Sequence, residues 1–489
     1  MPDLRERYRL WYEKNYDQLL VKLQKSGIEH RFLDSLFPAL ELAALKHFEN
    51  QQPNLLDAIK WNYFMLWKKE DIFNLKKTDE KPFEVLLWPS QMKHFTVQLP
   101  VYHALKKQNV HVGFVTNTLA IQDEFIKKEV DHLFIYKTKK KLPRFKQFLQ
   151  NLNIVKHADG FELFNTGNKT ISFKEIIKDT VRYRIPDDQA HAVFSLIKGF
   201  GLPKIVFFGY SFSTVALALD KECKEKNIVT ASLQMGRMMY YLFKYSCLQV
   251  FYAYGKEVKT KIEEIAKSVD VLEVGSLKIE VTGYSAGKED VESLVFPLKQ
   301  RFKKVGLVAF SGPGLTVSFN GHTESLKALK ASVDKFKEVF FIIKLHLKDK
   351  RFYYADFENI DNVLIIDGEH PLFKFDIIHL VKQSDFVISG ASTSLIESAY
   401  WMKPVISVDI TGELQSIDLL QEDFIQNCRS QSDLMDTITS ILNNDPGLQA
   451  KMASMKTYIE NAFKKDELQP SELVALDVVK RLREKELSH

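Results

Sequence analysis

The chain has 489 residues, 45% hydrophobic and 27% charged, which excludes intrinsic disorder and predicts two or three domains. Lysine and arginine total 68 against 63 acidic residues, and a net charge of +5 over this length excludes a dominant nucleic-acid footprint. Glycine (20) and proline (15) are sparse, which argues against collagen, linker arrays and turn-rich all-β folds.

Residues 1–80 read as a helical extension. Apolar residues recur near helical spacing at Leu10, Trp11, Tyr16, Leu19, Leu20 and Leu23, and similar patterns follow over Phe32–Phe48 and Leu55–Trp67. At Pro82 the texture changes to strand, helix, strand: Phe83–Trp88, Val97–Gln108 and Val110–Val115. Helices are expected around Phe173–Thr180 and Gln189–Lys198, then strand Lys204–Phe208, helix Thr214–Lys226 and strand Ile228–Leu233. A second series has strands Val305–Phe310, Val339–Lys344, Val363–Ile366, Phe386–Ser389 and Pro404–Val408, with helices Glu324–Phe336, Phe375–Gln383 and Leu395–Met402 between. Right-handed crossovers between short apolar strands predict two Rossmann-like α/β domains, each with a doubly wound parallel sheet. The expected division is an extension over 1–80, a domain over 81–275, a linker over 276–302, a domain over 303–445 and helices over 446–489. Two such domains facing each other would form a ligand cleft at the carboxyl ends of their strands.

Three cysteines, Cys223, Cys247 and Cys428, stand far apart without CxxC or CxxH grouping. This excludes a disulfide framework and a thiolate zinc site, and fits a reducing cytoplasm. Met1–Lys14 is charged throughout, and Leu36–Leu45 is interrupted by Pro38 and Glu41, so neither a signal peptide nor a membrane span is expected.

The segment Asp385-Phe-Val-Ile-Ser-Gly-Ala-Ser-Thr-Ser-Leu-Ile-Glu397 carries most functional weight. A buried strand ends at Ser389-Gly390, and a helix starts within Ala391–Ser394. Small residues admit a ligand to the backbone, free N–H groups attract anions, and the hydroxyls of Ser392, Thr393 and Ser394 add donors, which suits a diphosphate. Ser394 and Glu397 also have capping-box spacing, which would satisfy the helix start without a ligand.

This segment, followed by Lys403-Pro-Val-Ile406, resembles the nucleotide-binding motif in the C-terminal domain of GT-B glycosyltransferases and their relatives. Those relatives include CDP-glycerol glycerophosphotransferases and non-hydrolysing UDP-N-acetylglucosamine 2-epimerases. The resemblance implies diphosphate contacts at Ser392, Thr393 and Ser394 and a ribose contact at Glu397. Phe341-Ile-Ile-Lys-Leu-His346 looks like the strand ending Lys-Leu-His-Pro in polymer-type glycerophosphotransferases, with Leu347 in place of proline. His346 would contact the donor phosphate, with a surface histidine in a lysine-rich loop as the alternative reading. Ile228–Gly236 resembles the strand ending Leu-Gln-His-Gly in bacterial surface-carbohydrate transferases, with Met235, which can carry no proton, in place of histidine. The resemblance covers roughly residues 83–445.

An inverting transfer needs a base for the acceptor hydroxyl and positive charge for the departing phosphate. His94, in a loop after the first strand, is the candidate base; a helix-start or core histidine is the alternative reading. Tyr210, Ser211, Ser213 and Arg237 follow strand ends and are candidates for acceptor binding. Gly312 and Gly314, in Ser311-Gly-Pro-Gly314, stand where related enzymes approach the donor diphosphate, though such a loop is also a common turn. Glu369 and His370 occupy a loop from which related folds contact the base or ribose. No Asp-x-Asp, HExxH or GxxxxGK[ST] pattern occurs, so neither a metal nor a cofactor is expected. The basic run Lys137, Lys139, Lys140, Lys141, Arg144 and Lys146, interleaved with Leu142, Phe145 and Phe148, could dock on anionic lipid or form a solvated face.

The resemblance thus implies a transferase moving a sugar or glycerophosphate-type group from a nucleotide-activated donor to a cell-surface glycan or lipid-linked acceptor. A sugar-nucleotide 2-epimerase is the second reading, although Ser232-Leu-Gln-Met-Gly236 has no acidic residue where epimerases place one. A non-catalytic nucleotide-sugar- or glycan-binding subunit is the third.

Overall fold

The computed structural model describes residues 69–79, 81–141, 164–165, 170–171, 185–209, 214–236, 240, 243, 246–282, 288–313, 317–346, 349–390, 392, 394–414, 418–464 and 466–487. They form two compact units, one made of residues up to Leu277 together with those from Asp466 onward, the other of Lys278–Lys465.

The first unit runs β1 (Lys69–Lys77), β2 (Val85–Trp88), α1 (Met92–Lys107), β3 (Val112–Thr116), α2 (Leu119–Lys127), β4 (His132–Lys141), β5 (Phe164–Asn165), β6 (Thr170–Ile171), α3 (Ile185–Phe200), β7 (Ile205–Phe208), α4 (Thr214–Glu225), β8 (Val229–Leu233), β9 (Val250–Ala253), α5 (Lys256–Ile265) and β10 (Asp270–Glu273). Eight of these strands form one sheet in the order β1-β4-β3-β2-β7-β8-β9-β10. It is parallel except for β1, which pairs antiparallel with β4. From β2 the chain winds outward through β3 and β4, then restarts at β7 on the other side and winds out to β10. The sheet therefore has a topological switch point between the carboxyl ends of β2 and β7. Both strands are buried along their whole length, as their apolar runs require when helices cover both faces. One face packs Phe95, Tyr102, Phe114 and Phe125 in close ring contact, with centroids 5.0–5.2 Å apart.

One sequence expectation needs correction here. Lys69–Lys77, read as the end of a helical extension, is an edge strand. Lys137–Lys141 is strand, paired in register with Lys69–Phe73, so Glu70 lies opposite Lys140 and Asp71 opposite Lys139. The sheet edge imposes extended backbone on a sequence whose charges hide its alternation. Residues 1–68 and 142–163 lie outside the described residues.

The second unit runs α6 (Leu277–Thr282, shared at its first residue with the first unit), α7 (Lys288–Arg301), β11 (Lys304–Ala309), α8 (Phe319–Lys335), β12 (Val339–Lys344), β13 (Val363–Ile366), α9 (Ile377–Gln383), β14 (Phe386–Ser389), α10 (Ser394–Tyr400), β15 (Val405–Val408), β16 (Ile425–Cys428), α11 (Gln431–Asn443) and α12 (Pro446–Ala462). Its six strands are all parallel, in the order β13-β12-β11-β14-β15-β16. Renumbered within the unit this is 3-2-1-4-5-6, the Rossmann order, with its switch point between β11 and β14. The expected linker over 276–302 contains two helices, one of which carries Pro297 internally.

The last helix, α13 (Pro470–Leu487), belongs to the first unit. Val474, Ala475, Val478 and Leu482 complete the core around Val101 and Leu105 of α1. Asp477 accepts hydrogen bonds from the buried Tyr252 hydroxyl (2.7 Å) and from Arg481 Nε (2.7 Å), and Arg481 also pairs with Asp270.

Candidate functional site

At the second unit's switch point, hydroxyls knit the strand ends together. Ser389 Oγ donates to Ala309 O (2.7 Å), which joins the end of β14 to the end of β11. Ser394 is buried and opens α10; its Oγ donates to Ser389 Oγ (3.4 Å) and its N–H donates to Ser392 Oγ (3.3 Å). Ser407 Oγ on β15 donates to Gly390 O (3.2 Å). Thr393 lies outside the described residues. No capping box forms: Ser394 is already helical, its hydroxyl turns back to the strand, and Glu397 turns to another partner.

That partner is Lys278, whose Nζ donates to Glu397 Oε1 from 119 residues away. Glu397 is 6% exposed, and its Oε2 is buried without a hydrogen-bond partner among the described residues. Burial raises its pKa, Lys278 opposes that, and the charge of Asp376, the N-cap of α9, adds to it. A buried carboxylate with one oxygen unused is costly in isolation, and it is suited to accept a hydroxyl.

Gly312, in the loop after β11, has φ +71°, and a Cβ there would lie 2.9 Å from the Asp349 carboxyl. Glycine lets this loop lie directly on Asp349, which accepts from Tyr354 Oη (2.6 Å) and stands 3.8 Å from the buried His322 ring. Gly314 lies outside the described residues. His346 is exposed just past β12. Lys344, two residues earlier, is pushed down to about 8 by burial, and its Nζ donates to Phe373 O (2.9 Å). His370 caps the 3-10 turn Pro371–Lys374, its Nδ1 accepting from Leu372 N (3.2 Å), and burial lowers its pKa. Glu369 is exposed in the same loop. Ser392, Ser394, Glu397 and Gly312 thus gather at the switch point, while His346 and His370 follow strands farther along the sheet. The sequence reading missed Lys278, Lys344, Asp349 and His322. Only Lys344, a charge closing an apolar strand, carried a local signal.

At the first unit's switch point, His94 lies in the first turn of α1 and is buried. This corrects its expected position in a loop: the helix starts at Met92 and runs through Pro100, so the preceding loop is only a few residues long. His94 Nδ1 is 3.0 Å from Ser90 Oγ. A Cβ on Gly209, just past β7, would come within 2.7 Å of the His94 Cβ and Nδ1, so the ring occupies the room left by that glycine. Burial, with help from Lys93, lowers its pKa to about 4 and keeps it neutral. Tyr210, Ser211, Ser213 and Arg237 lie outside the described residues. Met235 is half-buried against the core, beside the buried Gln234, whose amide accepts from Tyr254 N (2.7 Å) and donates to Gly236 O (3.1 Å).

Among the described residues, no group of three His, Cys, Asp or Glu side chains could hold a metal ion, and no helix is long and apolar enough to cross a membrane.

No protein-family model and no curated protein matches the sequence. Solved structures do match. S. aureus MnaA, solved as a co-structure with UDP, aligns at TM-score 0.53 and 12% identity over 82% of this chain and 95% of its own. A Listeria monocytogenes protein assigned as a UDP-N-acetylglucosamine 2-epimerase aligns at TM-score 0.54 and 12% identity, covering 83% and 97%. The fold is GT-B. Among other matches, Phytolacca americana UGT2, complexed with UDP-2-fluoro-glucose and pterostilbene, aligns at TM-score 0.48 and 11% identity, covering 81% and 99%. In GT-B terms, the site built above lies on the C-terminal Rossmann-like unit.

Proposed function

We propose that the protein is a metal-independent GT-B glycosyltransferase. It would move a sugar or a glycerophosphate-type group from a nucleotide-activated donor to a cell-surface glycan or lipid-linked acceptor, with no cofactor. Glu397 carries this reading: a buried carboxylate, held by a lysine through one oxygen and unused at the other, beside the switch point of a Rossmann sheet. Such an oxygen suits a ribose hydroxyl. Ser392, Thr393 and Ser394 are assigned to the diphosphate, with Gly312 and Gly314 admitting the backbone close to it. His346 and His370 are assigned to the donor, His94 to the base, and Tyr210, Ser211 and Arg237 to the acceptor. A lipid-linked acceptor would bring Lys137–Lys146 to an anionic surface.

Two other readings have their own support. The Listeria match favours a sugar-nucleotide 2-epimerase. Met235 packed against the core, and a His94 whose pKa near 4 makes it a weak base, favour a nucleotide-sugar- or glycan-binding subunit.

A thermal-shift panel of CMP, CDP, UDP, GDP and their sugars tests the proposal, which expects a stabilising shift with one nucleotide family. No shift with any of them would sink both enzyme readings. Slow hydrolysis of the bound sugar nucleotide without acceptor would argue against a pure binding role. Inversion at the 2-position with the sugar still attached to its nucleotide would favour the epimerase. Alanine at Ser392, Thr393 and Ser394 together should abolish the shift.

A further inference from the structure

The chain enters its second unit at Lys278, on the short helix α6. The Lys278 side chain is only 21% exposed and ends on the Glu397 side chain, itself 8% exposed. An ionised carboxylate offers about four acceptor sites on its two oxygens. Lys278 engages Oε1, whereas Oε2 is buried and accepts nothing among the described residues. If the pair served only to tie α6 to α10, turning both oxygens toward the amine or leaving Oε2 to water would remove that orphan. Instead the amine holds one oxygen and leaves the other without a donor among the described residues.

We propose that Lys278 is a positioning residue for the ribose of a bound nucleotide: it keeps Glu397 ionised and turned so that Oε2 accepts from a ribose hydroxyl. This rests on the reading that the second unit binds a nucleotide. Lys278 does not itself need to touch the ligand. Its charge offsets the burial of Glu397 and the nearby Asp376, the two influences that favour the protonated acid. A protonated Glu397 would place a hydroxyl of its own where the ribose hydroxyl must donate. The strands flanking α10, Phe386–Ser389 and Val405–Val408, contain no ionisable residue that could take over this task.

The experiment is calorimetric titration of the full chain with the tightest binder among UDP, CDP, GDP and ADP, and with its 2′,3′-dideoxy analogue. Wild type should bind the ribonucleotide at least about tenfold more tightly than the analogue. Lys278→Met should cut ribonucleotide affinity about tenfold and change affinity for the analogue less than about twofold. Lys278→Arg should restore most of the loss. Glu397→Gln should cost the ribonucleotide about as much as Lys278→Met and add little in the double variant. Equal losses for both ligands, or no loss for either, would overturn the positioning role while leaving nucleotide binding intact. A wild type that binds none of the four nucleotides would overturn the underlying reading and this inference with it. If circular dichroism shows Lys278→Met unfolded, Lys278→Gln, which keeps a donor without the charge, is held to the same outcomes.

Discussion

Both sheets reverse their winding at equivalent points, between β2 and β7 in the first unit and between β11 and β14 in the second, but the two points are furnished differently. At the first, a glycine makes room for a neutral imidazole, and the helix carrying it is packed from its first turn. At the second, hydroxyls tie the strand ends together around an ionisable pair, with one carboxylate oxygen unsatisfied. Doubly wound topology supplies an open row of strand ends in both units. Side chains decide whether that row is filled by the protein or left with an unmet hydrogen bond. The first is filled by His94 and the second is left waiting at Glu397.

The largest effect expected from breaking this contrast is at Glu397. Glu397→Ala removes the carboxylate that Lys278 holds, and unfolding in urea should show a loss of about 3 kcal/mol, the low end for a broken buried pair because Lys278 keeps some contact with water. An unchanged midpoint would mean the pair contributes nothing to the fold.

The next effect is a difference in pH response. His94 has a pKa of about 4 in the folded chain against an ordinary 6.5, so between those values the unfolded chain binds a proton that the folded chain refuses. Stability from this group is complete above about pH 6.5 and is lost as pH falls through the window, by up to about 3 kcal/mol. His94→Gln should remove that part of the acid sensitivity, read as a smaller drop in urea midpoint from pH 7 to pH 4.5. Glu397 has the opposite sign. Its raised pKa gives a contribution that is full below the ordinary 4.5 and lost as pH rises.

Smaller effects come from the two glycines. Gly209→Ala presses a methyl into His94, and Gly312→Ala adds a left-handed backbone to a contact with Asp349, so each should cost about 1–3 kcal/mol. Only Gly209→Ala should also alter the His94 titration followed by NMR. Smallest is Ser394→Ala, which removes one long hydrogen bond to Ser389 and should change stability by about 1 kcal/mol or less. A much larger loss would mark the hydroxyl as structural.

What could be read from sequence followed the range of the interactions. Strands β2, β7, β11, β12, β14 and β15 are apolar runs buried on both faces, and such runs announce themselves locally. β1 did not, because Lys-Glu-Asp-Ile-Phe-Asn-Leu-Lys-Lys needs only one neighbour, and the pairing with it begins 56 positions along the chain, where Lys77 pairs with Leu133. The Ser389–Ser394 loop was legible because strand end, small residues and helix start are contiguous. The Lys278–Glu397 pair was not, since nothing local marks two residues 119 apart as partners. His94 was legible as a residue beside a strand end, but its packing into the room left by Gly209 was not, because sequence does not join the two.

The return of α13 to the first unit has a consequence for synthesis. Val474, Val478 and Leu482 belong to the same core as Val101 and Leu105, yet Lys278–Lys465 must be made between them. At about 5–20 residues per second, the first sheet waits on the order of 10–40 s on the ribosome with the α1 flank of its core open. The second unit, contiguous in sequence, needs no such wait and can finish folding while the first is still incomplete. A nascent chain arrested before Pro470 would therefore carry one mature Rossmann unit and one with exposed apolar surface, a natural client for chaperones.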